Sequence, residues 1–508
     1  MPLLTRAEST RFVETSRHAD VMSFVAGLLA LGYPRLHVTK FGESPEGRTL
    51  PLLVLSARGV TTPDEARSLG LPIVLVVSGI HAGEVEGKEA CLMLARDLLA
   101  KGGAAGGDDL LANLTLVIVP LFNPDGNDRI DPGNRRLHLP RLEGQLGPDS
   151  GVGTRVNAAK INLNRDYMRH ESVEMRLMQT RVCQAWKADL TIDNHATNGS
   201  VHRFSMTYDI PHTIESGRPE PILYMRERLL PPVTAALKKN HGLDASWYGN
   251  FSEDESALEK GDADPTAPVR EGWMTYPHHP RFGSNYRGLT NRMDLLLECY
   301  SYISFEERVR TAYSFMLETL RYVAAHADEI VQTVATSQTP RSQIAVRAKL
   351  RPFDAPIVIK TRTPRTLSGE ESSVTLPFYG RFVGTHVVAR PAAYLVPPRL
   401  MQALVSHGLT VTPATGTFEV QVPRVERIGR EDGRQILEAA DFGDVSVSWK
   451  TDTRSAAGRC LVRTEQPLGA IAVYLCEPES DDGAIENGFL PAPKVGEEID
   501  VWRVDNLP

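Results

Sequence analysis

IVLVVSGIHAGE, residues 73–84, joins a run of five aliphatic residues to a histidine and a glutamate that stand three positions apart. The aliphatic run predicts a strand that is buried on both faces. Apolar residues then recur at helical spacing and predict a helix: Val85, Leu92, Ala95 and Leu99. His81 and Glu84 therefore fall on the turn at the carboxyl end of a strand, where open α/β sheets carry their functional side chains.

The spacing of His81 and Glu84 lets an imidazole and a carboxylate bind one metal ion from a single turn. The two glycines of this turn leave room for backbone and substrate to approach. The same spacing recurs at His326 and Glu329, inside a long helical pattern, where it predicts only an ordinary helix surface.

A third ligand for the first pair is His195, which ends the short strand pattern of residues 190–195. Three protein ligands with a fourth position left open form the ligand set of a hydrolytic zinc site, so we expect one zinc ion per chain. Asp193 or Asn194 is expected to orient a ligand from behind.

Glu298 is the candidate general base, because a metal-activated water still needs a group that takes up and returns its proton. Three leucines lead into Glu298, so its carboxylate emerges from an apolar strand rather than from a solvated face. Nearness to a dication would offset the cost of burying that charge. The alternative interpretation is that Glu298 is the buried ion-pair partner of an arginine such as Arg292.

Several basic residues stand in loop-like surroundings. Arg165 follows a short apolar run and suits a terminal carboxylate, because its planar fork binds both oxygens. One of Arg135 and Arg136 is expected to polarise the scissile carbonyl. His278 and His279 suggest a second metal pair, but we interpret them as loop residues, because adjacent histidines point apart on an extended chain.

Length and composition bound the class of protein. A chain of 508 residues exceeds a single hydrophobic core, so we expect two domains. The composition, 42% apolar and 23% charged, is that of a globular protein. A net charge of −7 gives no reason to expect nucleic acid or an anionic membrane as a partner.

The compartment is predicted from the N-terminal residues and the cysteines. The first residues lack the basic-then-apolar order of a signal peptide, and no run approaches the ~20 apolar residues of a membrane span. Five cysteines, an odd number, fit reduced thiols better than disulfides. These features favour a cytoplasmic protein.

The chain changes character near residue 340. Before it, strand patterns at residues 36–40, 49–55, 114–121 and 293–298 alternate with helical patterns at 171–188, 220–239 and 304–323. An earlier helix carries Val21, Phe24, Leu28 and Leu29 on one face, and Pro231-Pro232 should kink or split the helix of residues 220–239. Residues 241–285 form a long loop region that we suspect of function.

After a linker at residues 337–342, the signals have a period of two residues and many prolines and glycines, with one helix near residues 398–407. We therefore divide the chain into residues 1–340, which carry the candidate site, and residues 345–508, a β-rich accessory domain. We expect this domain to pack beside the rim of the site.

Six features in this order resemble the zinc carboxypeptidase family, the carboxypeptidase A-like metallopeptidases, over residues 40–330. They are His-x-x-Glu after a strand, Asn-Pro-Asp-Gly at 123–126, Asn-Arg at 134–135, Asn-Arg-Asp at 164–166, a lone histidine on a strand, and a glutamate on a strand. The resemblance implies an α/β/α sandwich around a twisted mixed sheet of about eight strands.

The resemblance also implies roles for the site residues. His81, Glu84 and His195 match the zinc ligands, and Glu298 matches the catalytic glutamate. Asn164 and Arg165 match the pair that holds the substrate's α-carboxylate, and Arg135 matches the carbonyl-polarising arginine. Tyr276 and Tyr286 compete for the substrate-capping tyrosine, and Tyr276 fits the usual spacing better. Asp166 departs from the family, where a second asparagine is common.

The activity predicted from these residues is that of a zinc metallocarboxypeptidase, which hydrolyses C-terminal peptide bonds. One alternative keeps the chemistry and changes the substrate to an acylated amino acid, as in the related desuccinylase and aspartoacylase enzymes. A further alternative is a catalytically silent fold that binds a partner through its β-rich domain. The sequence leaves side-chain preference and oligomeric state open.

Overall fold

An eight-stranded mixed sheet lies at the centre of residues 36–299 in the computed structural model, which describes residues 3–101, 109–254, 271–429 and 444–507. Its strands, numbered along the chain, are β1 (Leu36–Glu43), β2 (Thr49–Leu55), β3 (Ile73–Ser78), β4 (Thr115–Val119), β5 (Leu190–Ala196), β6 (Met206–Asp209), β7 (Ala245–Trp247) and β10 (Met293–Cys299). Their order is β1-β2-β4-β3-β5-β10-β6-β7. The four central strands β4, β3, β5 and β10 are parallel, so their carboxyl ends meet at one edge.

Helices cover both faces of this sheet. The longer helices and helical segments are His18–Ala30, Glu86–Lys101, Val173–Leu177 with its continuation Met178–Trp186, Pro219–Tyr224 with its continuation Met225–His241, Gly283–Leu289, Phe305–Ala325 and Ala327–Thr336. Alternate residues of β3 point to opposite faces: Val74 and Val76 pack into one core, and Leu75 and Val77 into the other. The eight-stranded α/β/α sandwich implied by the family resemblance is therefore confirmed.

The C-terminal region is rich in β-strands, as predicted. Its strands are β11 (Gln343–Pro352), β12 (Ile357–Thr363), β13 (Glu370–Leu376), β14 (Phe378–Ala389), β15 (Ala393–Val396), β16 (Val411–Pro413), β17 (Thr417–Gly429), β18 (Asp444–Ser455), β19 (Cys460–Arg463) and β20 (Trp502–Val504). Six of them form a sheet in the order β16-β19-β15-β20-β17-β18. β12 and β13 form a two-stranded ribbon. Helices occur at Pro398–Ser406 and Gly469–Cys476.

The two regions share a sheet and a core. Within residues 241–285, β8 (Asn250–Phe251) pairs with β9 (Trp273–Met274), and β9 pairs with β14 of the C-terminal region. The core on one face of the central sheet also continues without a break from Tyr286 and Leu289 to Ile471 and Tyr474. The boundary at residues 340–345 stays a prediction, but residues on its two sides are buried against each other. Residues 255–270 of the predicted loop region lie outside the described part.

Local differences from the sequence predictions have physical causes. Leu29 is 49% exposed, because its helix buries Val25 instead. Pro231-Pro232 lie in the first turn of the α-helix Leu230–His241, where their missing N–H groups cost no helical hydrogen bond, and a π-helical segment at Met225–Leu229 interrupts the regular α-helix just before them. Helix Gly469–Cys476 escapes prediction because it is buried all round and has no polar face.

Two further features concern membrane spans and cysteines. In the residues that the structure describes, no helix combines the length and the apolar character needed to cross a membrane. The five cysteines, all within those residues, are free thiols.

Candidate metal centre

His81, Glu84 and His195 converge at the carboxyl edge of the central sheet. The Nδ1 atoms of the two histidines lie 3.2 Å apart, and each lies close to a different oxygen of Glu84, at 3.1 Å and 2.9 Å. All three side chains are at most 4% exposed. Ligands of a tetrahedral zinc ion with bonds of ~2.0–2.1 Å stand roughly 3.3 Å from each other. The three donor atoms therefore fit a zinc ion in both chemical type and spacing.

The parallel strands bring these residues together. β3 and β5 are neighbours with Val77 opposite Asp193, so the turn after β3 and the end of β5 reach the same point. Gly79 has φ +70°, a left-handed conformation that turns the chain out of β3. The room predicted beside Gly83 is filled by the protein itself, because a Cβ there would lie 2.8 Å from both Arg135 Cδ and Gly153 O.

The other ring nitrogens of both histidines face oxygen atoms. His81 Nε2 lies 3.1 Å from Asn162 Oδ1, and His195 Nε2 lies 3.4 Å from Asp193 Oδ1. Asp193 is held in turn by Arg287, whose Nη1 lies 3.0 Å from its second oxygen. Such contacts set which nitrogen faces the metal. Asn194, the alternative to Asp193, instead donates to Val77 O and Ser78 Oγ, at 3.3 Å and 3.1 Å.

The electrostatics favour a cation among these residues. Burial raises the pKa of Glu84, but His81 and Arg135 outweigh burial and hold this pKa well below its usual range. Burial opposes a charge on His195, yet Asp193 and Glu84 raise its pKa well above the usual value. Burial and the nearby Arg155 lower the pKa of His81 to about 3, which keeps its imidazole neutral, as a metal ligand must be.

Glu298 lies beside the cluster on the neighbouring strand, because β10 runs parallel to β5 with Glu298 opposite His195. Burial raises the pKa of Glu298 to about 8, and the charge of Glu84 acts in the same direction. His195, Arg155 and then Arg135 oppose this shift. The structure therefore places a desolvated carboxyl next to the three candidate ligands.

Arg135 reaches the cluster but is mostly engaged by the protein. Its Nη1 lies 3.1 Å from Glu84 Oε1, its Nε donates to Gln145 at 2.8 Å, and its side chain is 11% exposed. Its Nη2 donates to the backbone oxygens of Ala196 and Thr197, at 3.4 Å and 3.3 Å.

Arg155 is a second arginine at the cluster, and the sequence analysis missed it. Its Nη1 lies 3.2 Å from both Glu84 Oε1 and His81 Nδ1, and its side chain is 42% exposed. The sequence signal for Arg155 was its position ten residues before Arg165, between the Asn-Arg at 134–135 and the Asn-Arg-Asp at 164–166.

Asn164 and Arg165 lie against the segment that follows Tyr276. Asn164 Oδ1 accepts a hydrogen bond from Gly283 N at 2.8 Å. The Arg165 guanidinium lies 3.9 Å from the centroid of the Phe282 ring, and its Nη1 donates to Asn164 O at 2.8 Å.

The two candidate tyrosines have different surroundings. Tyr276 is half-buried, and its hydroxyl has no hydrogen bond to any described residue. Burial raises its pKa well above the usual value, and the charge of Glu298 contributes. Tyr286 is 3% exposed, and its hydroxyl lies 2.8 Å from His407 Nδ1 of the C-terminal region. The two hydroxyls therefore differ: that of Tyr286 is tied to the C-terminal region, whereas that of Tyr276 is buried without a hydrogen-bond partner among the described residues.

His326 and Glu329, the second pair with this spacing, do not converge on a common point. The His326 ring stacks on Tyr322 at 4.0 Å, and Glu329 accepts from Tyr224 and Arg228. The helix itself is not continuous as predicted, because His326 lies at the junction between Phe305–Ala325 and Ala327–Thr336.

Solved structures and curated relatives resemble this chain to different extents. The metallo-carboxypeptidase of Burkholderia cenocepacia is 18% identical, with 60% of this chain and 70% of that chain covered and a TM-score of 0.40. Carboxypeptidase D of Drosophila melanogaster is 32% identical over 168 residues, 32% of this chain and 11% of that protein. Carboxypeptidase 2 of Trichophyton tonsurans is 21% identical over 486 residues, 91% of this chain and 82% of that protein. This chain thus spans about a tenth of the carboxypeptidase D relative.

The family match covers the metal cluster itself. Residues 25–198 match the Peptidase_M14 zinc carboxypeptidase family, a range that contains all three candidate ligands and both arginines of the cluster. Glu298 and the C-terminal region lie outside the matched range. The sequence motifs and this match lead to one conclusion: the chain contains a zinc carboxypeptidase domain.

Proposed function

We propose that this protein is a zinc-dependent metallocarboxypeptidase, which hydrolyses the C-terminal amide bond of a peptide. The observation that carries this proposal is the convergence of His81, Glu84 and His195 on one point, with Glu298 opposite His195 on the next strand. A donor set of this composition would hold zinc, and zinc when bound polarises a carbonyl oxygen and lowers the pKa of water.

Glu298 acts as the general base and then as the general acid. Its carboxylate takes the proton from the attacking water and returns it to the leaving amine. Burial supports this role, because a carboxyl whose pKa is raised to about 8 in the metal-free site is a stronger base than a solvated carboxylate. The positive charges of Arg155 and Arg135 favour its ionised form.

Arg155 replaces Arg135 as our candidate for stabilising the oxyanion. The guanidinium of Arg155 reaches the ligand cluster with 42% of its side chain exposed, so it faces the space from which a substrate arrives. Arg135 is 11% exposed and binds Gln145 and two backbone oxygens, which suits a residue that holds Glu84 in place. This assignment revises the one implied by the family resemblance.

Asn164 and Arg165 hold the terminal carboxylate of the substrate in this proposal. Arg165 already lies over Phe282, and Asn164 is fixed by Gly283, so both belong to the wall that carries Tyr276. An arginine fork forms two charge-assisted hydrogen bonds with a carboxylate, whereas a carboxamide has no charge and one acceptor oxygen.

The test compares a good peptide substrate with its C-terminally amidated form on the zinc-loaded protein. Two charge-assisted bonds of ~1.5–3 kcal/mol each correspond to a factor of about a thousand or more in kcat/KM, so we expect amidation to cost that much. Arg165→Ala should show the same loss on the free acid and almost none on the amide. Equal cleavage of both peptides by the parent would refute carboxylate anchoring.

A panel of acylated amino acids, run in parallel, tests the deacylase alternative. Efficient turnover of these compounds, without turnover of peptides, would move the substrate assignment to that class. No turnover of either class by the zinc-loaded protein would favour the non-catalytic alternative.

A further inference from the structure

A second group of metal-ligand side chains lies between the two regions of the chain. Donor atoms of His278, His279 and Asp481 all lie within 4.8 Å of one another. The two histidines follow β9, and Asp481 follows the buried helix Gly469–Cys476. This group shares no residue with the candidate zinc site, so the proposed function makes no use of it.

The stacking of His278 on His279 corrects a sequence expectation. Adjacent histidines on an extended chain point apart, but here the ring centroids are 4.7 Å apart with an interplanar angle of 26°. The chain turns immediately after His279, where Phe282 N and Asn285 Nδ2 both donate to His279 O at 3.2 Å. The stacked rings lie close enough together to serve one ion.

His278 and Asp481 are already held in ligand-like positions. His278 is 3% exposed, and its Nε2 lies 2.8 Å from Asp481 Oδ2. Its ring also packs against Phe382, with centroids 4.9 Å apart. The Tyr474 hydroxyl donates to the other oxygen of Asp481 at 2.7 Å, which fixes the carboxylate and leaves Oδ2 directed at the histidines.

The position of the His279 ring is not explained by an ion pair like that of His278. Neither of its ring nitrogens has a hydrogen bond to a described residue, although its backbone oxygen is bonded twice. A ring nitrogen without a hydrogen-bond partner, within 4.8 Å of the donor atoms of His278 and Asp481, is available as a metal ligand.

The surrounding charges favour an added cation. Arg281 and Arg347 are nearby cations, and Asp482 pairs with Arg281 at 2.7 Å. Glu486 is 8% exposed, and its Oε2 has no hydrogen bond to a described residue. Burial raises the pKa of Glu486 to about 7; Arg281 opposes this shift, and Asp482 and Asp481 add to it. A bound cation would reduce the repulsion among these carboxylates.

We propose that His278, His279 and Asp481 bind a second divalent metal ion of the zinc type. Two imidazoles and one carboxylate suit such an ion, with water in the remaining positions. The ion joins the segment after β9 to the C-terminal region. That segment also contains Tyr276 and Phe282, so the ion would hold the wall of the substrate site against the C-terminal region.

The test counts zinc in the full-length protein after removal of all metal with a chelator and reloading with Zn²⁺ alone. We expect two tightly bound ions per parent chain, measured by elemental analysis after gel filtration. His279→Ala should keep one ion and His195→Ala should keep the other, while the double variant should keep none. His326→Ala, a histidine of the second His-x-x-Glu spacing, is the matched control and should keep two.

Thermal unfolding gives a second measurement. Zinc should raise the Tm of His195→Ala, because an ion that binds only the folded state stabilises it, and this rise should vanish in the double variant. His279→Ala should fold, since its ring takes part in no hydrogen bond; circular dichroism checks this. Asp481→Asn, which keeps the size of the side chain, should also lose one ion.

The outcomes separate this inference from the proposed function. One ion in the parent and none in His195→Ala would overturn the second site and leave the proposed function intact. Two ions in His279→Ala would also overturn it. Undiminished zinc in His195→Ala, with a loss in His279→Ala, would instead support the second site and refute the assignment of His195 as a ligand of the first.

Discussion

Glu298 is the residue whose chemistry can be separated most cleanly from metal binding. Glu298→Gln keeps the size of the side chain but cannot take up the proton. We expect kcat to fall by at least roughly a hundredfold, the lower end of a general acid–base contribution, with zinc content unchanged. Steady-state kinetics and elemental analysis of the same preparation measure both. Activity within a few-fold of the parent would mean that another group transfers the proton.

The same substitution should stabilise the metal-free protein at alkaline pH. Burial raises the pKa of Glu298 to about 8, whereas a glutamate in an unfolded chain ionises near pH ~4.3. Between these values the folded state retains a proton that the unfolded state has lost, so stability falls as pH rises.

Glu298→Gln removes this penalty. At about pH 8 its free energy of unfolding should exceed that of the parent by ~1 kcal/mol or more, since one pKa unit corresponds to about 1.4 kcal/mol. Urea unfolding of both chelated proteins measures the difference, which should disappear near pH ~4. A pH-independent difference would show that ionisation of the Glu298 carboxyl is not the cause.

Replacing Arg155 by alanine and replacing Arg135 by alanine should change different properties of the protein. Arg155→Ala should lower kcat by about 10²–10³-fold, the value of one oxyanion-stabilising donor, with stability and zinc content near those of the parent. Arg135→Ala should lower zinc retention and stability as well, because it removes the hydrogen bonds that the guanidinium donates to Gln145 Oε1 and Glu84 Oε1. If Arg135→Ala alone loses turnover while retaining zinc and stability, the family-based assignment of Arg135 is restored.

Helix Glu86–Lys101 and strand β5 meet closely behind the metal centre. A Cβ on Gly87 would lie 2.4 Å from Asn194 Cβ, and Asn194 precedes the ligand His195. Gly87→Ala should therefore cost about 1–3 kcal/mol through overpacking and weaken zinc binding by moving β5. Chemical unfolding and a competitive zinc titration measure the two effects.

Gly27→Ala, inside helix His18–Ala30, is the matched control, because it also adds a Cβ to a helical glycine. Its Cβ would lie 2.6 Å from the end of the Leu3 side chain, which can rotate away. The helix propensity of alanine should then make this variant neutral or up to ~1 kcal/mol more stable. Equal losses in both variants would mean that the effect is a general property of these helices and is unrelated to the metal centre.

The whole molecule should unfold as one unit, because its two regions share a core and a sheet. Ile471 is fully buried in the core that also contains Tyr286 and Leu289. Ile471→Ala should lower the free energy of unfolding by about 2–5 kcal/mol and shift a single transition. Val495→Ala, at a position 64% exposed, should leave the transition where it is.

Calorimetry of both variants distinguishes one unit from two. Two separate transitions, of which Ile471→Ala shifts only one, would instead support independent domains with a boundary near residue 340. Zinc release is followed in the same experiment. It should coincide with unfolding if the metal centre depends on the C-terminal region.

The motifs of the central sheet were readable in the sequence because their signals are local. An apolar run in the sequence marks each of three strands: the one before His81, the one that ends at His195 and the one that carries Glu298. Strands of a buried parallel sheet need such runs, because both of their faces are covered. Since parallel strands end at one edge, the order of these motifs already indicated that the three side chains meet. A local signal also marks the start of helix Phe305–Ala325, where Ser304 and Glu307 form a capping box.

Tertiary structure alone decided what no local pattern records. Arg155 and Asn162 reach the cluster from a loop without regular periodicity, and a loop residue is positioned by what it packs against. Helix Gly469–Cys476 has no polar face to reveal it, because it is enclosed on all sides. The meeting of His279 with Asp481 joins residues about two hundred positions apart, and the folding of the C-terminal region against the segment after β9 is what brings them together.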